Sequence, residues 1–110
     1  NLIFGCKDLE FKTPKAGLYL YRGRDKRLLQ LRQDQICSNG KAVIRSAGSL
    51  QLIDIDSPTR RIVRYELDID QGRLSEPVTL VDLQGQDGVP DGMIVTPDEK
   101  SLIVSLYNPN

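Results

Sequence analysis

The 110 residues suffice for one ordinary domain with a modest core, and 39 % apolar against 27 % charged residues is a usual globular balance. Fifteen Lys and Arg offset fifteen Asp and Glu, and the basic residues are scattered, so the basic stripe of a nucleic-acid binder is missing. The chain has no histidine, which removes Ser-His-Asp triads, Cys-His pairs and His-rich zinc sites together; chemistry must run on carboxylates, amides, lysines or a hard cation held by oxygen.

No apolar run approaches the roughly 18 residues of a membrane span, and no leader pattern is present. The chain begins at Asn1 rather than Met and is expected to be a portion of a longer protein, with a cytoplasmic location slightly favoured. Its two cysteines, Cys6 and Cys37, form no CxxC pair and lie beside apolar residues, so both read as buried free thiols.

Residues 2–6 read as a short strand. Residues 16–21 and 27–32 flank Arg22-Gly23-Arg24-Asp25-Lys26, a polar turn, and are expected to form a hairpin. A helix over 25–35 is the alternative, since Leu28 and Leu31 fall at helical spacing, but the turn chemistry favours strands. In residues 62–67, Val63, Tyr65 and Leu67 alternate with Arg64 and Glu66, the period of a strand. Asp68-Ile69-Asp70-Gln71-Gly72 then leads into a strand over 78–83. That loop faintly resembles a calcium loop, but it lacks the third acidic position and the distal Glu, so a hairpin turn is expected.

Asn39-Gly40-Lys41-Ala42-Val43 overlays Asp91-Gly92-Met93-Ile94-Val95 at an offset of 52 residues. Without a gap, Ser49-Leu50-Gln51-Leu52 then falls on Ser101-Leu102-Ile103-Val104 and Asp56 on Asn108. Each copy reads as an Asx-Gly start, a strand, a turn and a second strand, with room for two more strands between copies. Four strands per repeat at a period near 50 predict propeller blades. The expected fold is all-β, a partial β-propeller: the end of one blade over 1–38, a full blade over 39–90, and the start of the next over 91–110.

Three passages resemble the family of senescence marker protein (regucalcin), gluconolactonase and luciferin-regenerating enzyme. They are Ala16-Gly17-Leu18-Tyr19 running to Cys37-Ser38-Asn39-Gly40; Ile55-Asp56-Ser57-Pro58-Thr59 followed by Ile62 through Asp68 and Gly72-Arg73-Leu74-Ser75; and Val89-Pro90-Asp91-Gly92-Met93. The resemblance implies a six-bladed propeller with one divalent cation in its channel, most simply calcium, with zinc, magnesium or manganese as alternatives. It implies that Asn39 and Asp91 are metal ligands, that Asp91 is also the general base, and that the substrate is a small sugar lactone. The competing reading is that Asn39-Gly40 and Asp91-Gly92 are only turns.

The family's third ligand, a glutamate of an early blade, and its substrate-binding Arg-x-Asn-Asp stretch match nothing in these residues. The usual Ser-Pro-Asp-Gly-Lys turn is replaced by Ile44-Arg45-Ser46-Ala47-Gly48, and Val43 stands where an aromatic residue is common, which puts the shape of that blade in question. Two functions are therefore carried: a metal-dependent lactone hydrolase of which this chain is a part, or a non-catalytic propeller module binding a cation or small ligand. Substrate-binding residues are unassigned, although Asp8 and Glu10 are candidates for the channel mouth. Asp54 and Asp56 read as a solvated strand edge, and the charges around Asp25 as a solvated turn. Self-association, or assembly with the remainder of a parent chain, is expected, with neither nucleic acid nor membrane as partner.

Overall fold

Ten strands form three antiparallel sheets, and no α-helix occurs among the described residues, which in this computed structural model are 1–108. The first sheet takes β1 (Leu2–Gly5), β2 (Ala16–Arg22) and β3 (Arg27–Gln35) in sequence order. Arg22 pairs with Arg27 across the expected polar turn. On β3 the half-buried Leu29 and Leu31 alternate with exposed Leu28 and Gln30, so the two-residue period prevails over helical spacing. Pairing with β2 supplies the partner that a lone amphipathic segment lacks.

The middle sheet contains β4 (Ser38–Ser46), β5 (Ser49–Asp56), β6 (Arg61–Asp68), β7 (Arg73–Leu74) and β8 (Val78–Asp82). Both β7 and β8 pair with β6, at opposite ends of it. The β4–β5 connection is a two-residue turn in which Ala47 and Gly48 both have positive φ, 49° and 81°. This is the left-handed geometry that suits the twist of a tight hairpin. The altered turn sequence therefore leaves the strands regularly paired down to Ser46–Ser49.

Strand β5 is the interior of the blade and is buried on both faces. Leu52 packs with Leu18, Tyr65 and Leu67 between the first and middle sheets. Ile53 and Ile55 point the other way, into a cluster with Ala42, Ile62 and Met93 between the middle and third sheets. Burying each such aliphatic side chain contributes about 1.5–3 kcal/mol.

The third sheet is β9 (Val89–Val95) with β10 (Leu102–Tyr107), and β9 packs beside β4. The antiparallel order β1-β2-β3 repeats that of β5-β6-β8. Successive sheets stacked face to face, each started by a strand lying beside its predecessor's first strand, are propeller blades. The blade faces turned away from the middle sheet are open: Leu2, Tyr21 and Leu28 are register neighbours on one, and Ile94 opposite Ile103 on the other, all exposed.

Strand register corrects the ungapped overlay of the repeats. Val43 pairs with Leu52, but Val95 pairs with Leu102, so the second strands correspond at an offset of 50 rather than 52. Asp56 therefore corresponds to Leu106 and not to Asn108. The difference arises in the connection: beyond Val43–Leu52 the first copy keeps pairing down to Ser46–Ser49 and its two-residue turn, whereas beyond Val95–Leu102 the second copy has only the shorter loop 96–101, closed by Thr96 Oγ1 donating to Asp98 (2.6 Å).

Candidate metal and lactone site

The two Asx-Gly pairs are not turns. Each lies inside a strand, and neither Gly40 nor Gly92 has a positive φ. Each pair forms a β-bulge instead. On β4, the pairs Ser38–Asp56 and Lys41–Asp54 enclose Asn39 and Gly40 opposite the single residue Ile55. On β9, the pairs Pro90–Leu106 and Met93–Val104 enclose Asp91 and Gly92 opposite Ser105. A bulge turns a side chain out of the regular alternation and is a common device beside functional sites. The same device at the same place in successive blades gives Asn39 and Asp91 equivalent positions.

The bulges also bring their strands together. A Cβ added at Gly40 would lie 2.7 Å from the Asp91 carbonyl oxygen and 2.7 Å from Met93 Cβ. Only a glycine permits that approach. Ser57, in the 3-10 turn Ser57–Thr59 after β5, completes the junction: its hydroxyl accepts from Asn39 Nδ2 at 3.1 Å and donates to the Pro90 carbonyl at 2.6 Å.

Asp91 differs from its fellow aspartates. Among the described residues, every aspartate except Asp87 and Asp91 has its carboxylate engaged by a hydrogen bond or ion pair. Asp87 is exposed, as is normal for an unpaired charge, whereas Asp91 is half-buried. A carboxylate whose lone pairs are not taken up by a neighbouring donor is open to accept from a ligand. Next to it, burial pushes the Cys37 thiol up, with Asp56 and Asp91 adding to the shift, so this sulfur stays protonated and unreactive.

The other candidates are structural. Asp54 and Asp56 are not on a solvated edge, because β5 is paired on both sides. Asp54 is buried and bonds Lys41 Nζ at 2.7 Å, while Asp56 accepts from the amides of Ile36 and Cys37. Burial raises the Asp54 carboxyl against the opposing pull of Lys41. Asp8 is buried and spends both oxygens on the amides of Glu10, Lys12 and Thr13, which together with the Lys15 ammonium hold it down at about 2, the Thr13 and Lys12 amides being the largest causes. Glu10 is exposed. Asp68 receives the Gln71 amide within its hairpin turn.

Two details depart from expectation. Arg22 is not solvated: it is buried, bonds both Asp25 oxygens, and donates to the Ile69 and Asp70 carbonyls of the next blade. Nothing in the run Arg22–Arg27 distinguishes this arginine until the blades are stacked. Of the two free cysteines, Cys37 is buried but Cys6, just past the end of β1, is exposed. In the sequence Ser57 is one member of the Ile55–Thr59 passage, and nothing local marks it for a role.

An amide oxygen and a carboxylate are hard donors that suit calcium, magnesium or manganese. Asn39 and Asp91 fit that chemistry as two members of a larger set, and among the described residues no group of three or more Cys, Asp or Glu is placed to hold a metal. A cavity of about 540 Å³ at the far end of the middle blade is bordered by Arg45, Glu66, Asp68 and Arg73, and neither Asn39 nor Asp91 lines it.

The chain is 38 % identical over 103 residues to an uncharacterized protein of Sulfolobus acidocaldarius, covering 94 % of this chain and 36 % of that protein. It is 32 % identical over 104 residues to a Bacillus subtilis protein named "Putative sugar lactone lactonase YvrE", covering 94 % of this chain and 34 % of that one. Among solved structures it superposes on a luciferin-regenerating enzyme with a TM-score of 0.77 at 23 % identity, covering 94 % of this chain and 34 % of that one. The chain thus spans about a third of the length of the proteins it matches. Residues 1–110 match the SMP-30/gluconolactonase/LRE-like region throughout, and the chain belongs to that family, with the β-propeller fold.

Proposed function

We propose that the protein containing this chain is a metal-dependent hydrolase of small sugar lactones, with Asn39 and Asp91 supplying part of its cation site. The half-buried, unpartnered carboxylate of Asp91, set on a bulge matching that of Asn39, carries the reading. Family membership and the resemblance to a protein named as a sugar lactone lactonase support the reaction class. Calcium is the first choice of cation, with zinc, magnesium and manganese as alternatives.

When bound, a divalent cation polarises a lactone carbonyl and lowers the pKa of a nearby water. Asn39 holds its place with Nδ2 committed to Ser57, which leaves its oxygen as the donor end. Asp91 supplies a charged oxygen and, as general base, takes the proton from the attacking water. Its freedom from other hydrogen bonds leaves a lone pair for that proton.

The test uses the protein expressed from its complete gene. Asp91→Ala should abolish lactone hydrolysis and severely weaken calcium binding, since a charge and a base leave together. Asn39→Ala should weaken calcium less, because an amide carries no charge. Wild-type activity and metal content in Asp91→Ala would reject the assignment. Calcium binding by the wild type without hydrolysis of any sugar lactone would instead favour the non-catalytic module.

A further inference from the structure

We infer that Ser57 is a positioning residue that fixes which end of the Asn39 amide is presented as a ligand and ties that amide to the strand bearing Asp91. The inference rests on the metal reading of Asn39 and Asp91, and it concerns a residue that touches neither cation nor substrate.

The argument is a count of protons. A serine hydroxyl has one proton to donate and lone pairs to accept. The Pro90 carbonyl, 2.6 Å from Ser57 Oγ, has no proton, so the hydroxyl proton is committed to it. The contact with the Asn39 side chain at 3.1 Å must then be one in which Ser57 accepts, and only the NH₂ end of the amide donates. The carbonyl end of Asn39 is thereby left for another group. Reversing the amide would set two lone pairs against each other.

The hydroxyl is itself held firmly. Ser57 is 6 % exposed, its amide donates to the Cys37 carbonyl at 3.1 Å, and Pro58 follows at the start of the 3-10 turn. Pro90 immediately precedes Asp91, so one oxygen atom links the turn after β5 to both ligand-bearing strands. Gly40 against Asp91 and Met93 shows that these strands meet with no slack. Groups that orient ligands in this way change metal affinity by about 10- to 100-fold when removed.

Calcium affinity is measured by titration calorimetry, with the metal alone, on the protein from the complete gene and well below its melting temperature. Ser57→Ala should bind calcium at least tenfold more weakly than wild type. Ser57→Cys, which keeps the volume and so the packing, should show a similar loss because a thiol is a poor hydrogen-bonding substitute. Ser57→Thr, which keeps the hydroxyl, should stay within threefold of wild type. Binding within twofold of wild type in Ser57→Ala or Ser57→Cys, while Asp91→Ala loses the metal, would overturn the inference. So would a loss in Ser57→Thr equal to that in Ser57→Cys, since packing and not the hydroxyl would then be responsible. Unchanged binding in Asp91→Ala would show instead that the metal reading had failed.

Discussion

Gly40→Ala is the sharpest test of how the two bulges meet. The added Cβ would sit 2.7 Å from the Asp91 oxygen, 2.7 Å from Met93 Cβ and 2.8 Å from the Met93 nitrogen. Favourable non-bonded separations between carbon atoms are about 3.5–4.0 Å. Two of the three obstacles are backbone atoms, so no rotamer change relieves them and β9 must withdraw from β4 by about 1 Å. Forcing a methyl into a packed interior costs about 1–3 kcal/mol. Ligand distances tolerate only about 0.2 Å, so the same displacement should weaken calcium binding by about tenfold or more. Gly23→Ala is the control: it adds the same methyl at a glycine without positive φ whose nearest neighbour would be 3.6 Å away. Urea unfolding and calcium titration of both variants, in the protein from the complete gene, give the answer. Gly40→Ala matching Gly23→Ala in both measurements would refute the close approach of the two Asx-Gly strands.

Two further outcomes follow from burial. Lys41→Met leaves the 1 %-exposed Asp54 side chain without its cation, which should destabilise by about 3 kcal/mol, the low end for a broken buried pair because a carboxyl already pushed up can protonate. Combining it with Asp54→Leu should restore stability to within about 1 kcal/mol, and a double variant as unstable as Lys41→Met would refute the ion-pair account. Residues 1–110 expressed alone should self-associate through their open blade faces, where Ile94 is 62 %, Ile103 59 %, Leu2 58 % and Leu28 57 % exposed. Sedimentation as a single stable monomer at micromolar concentration would show that those faces need no cover.

Strands were legible wherever local pattern and turn chemistry agreed. Val63, Tyr65 and Leu67 face the first blade as their alternation with Arg64 and Glu66 requires, and Arg22–Arg27 closes its hairpin. The Asx-Gly repeat marked the two positions that the structure makes equivalent, because an internal repeat needs no knowledge of long-range contacts. Its register beyond the turn was not legible. A two-residue difference in connection length shifts pairing without leaving a mark in a gapless comparison.

Charge was harder to read, for a general reason. Asp54, Arg22 and Asp91 are all charged residues amid strand or turn sequence, and their identities do not say whether a partner waits across a blade interface. Lys41 meets Asp54 across neighbouring strands, Arg22 meets carbonyls 47 and 48 residues away, and among the described residues Asp91 meets no side-chain cation. The residues along the chain dictate which elements form and which faces are apolar, since those depend on near neighbours and on a two-residue period. Which carboxylate is neutralised and which is left open depends on stacking the blades, because electrostatic energy is set by separation in space and by burial, and neither is written in the order of residues.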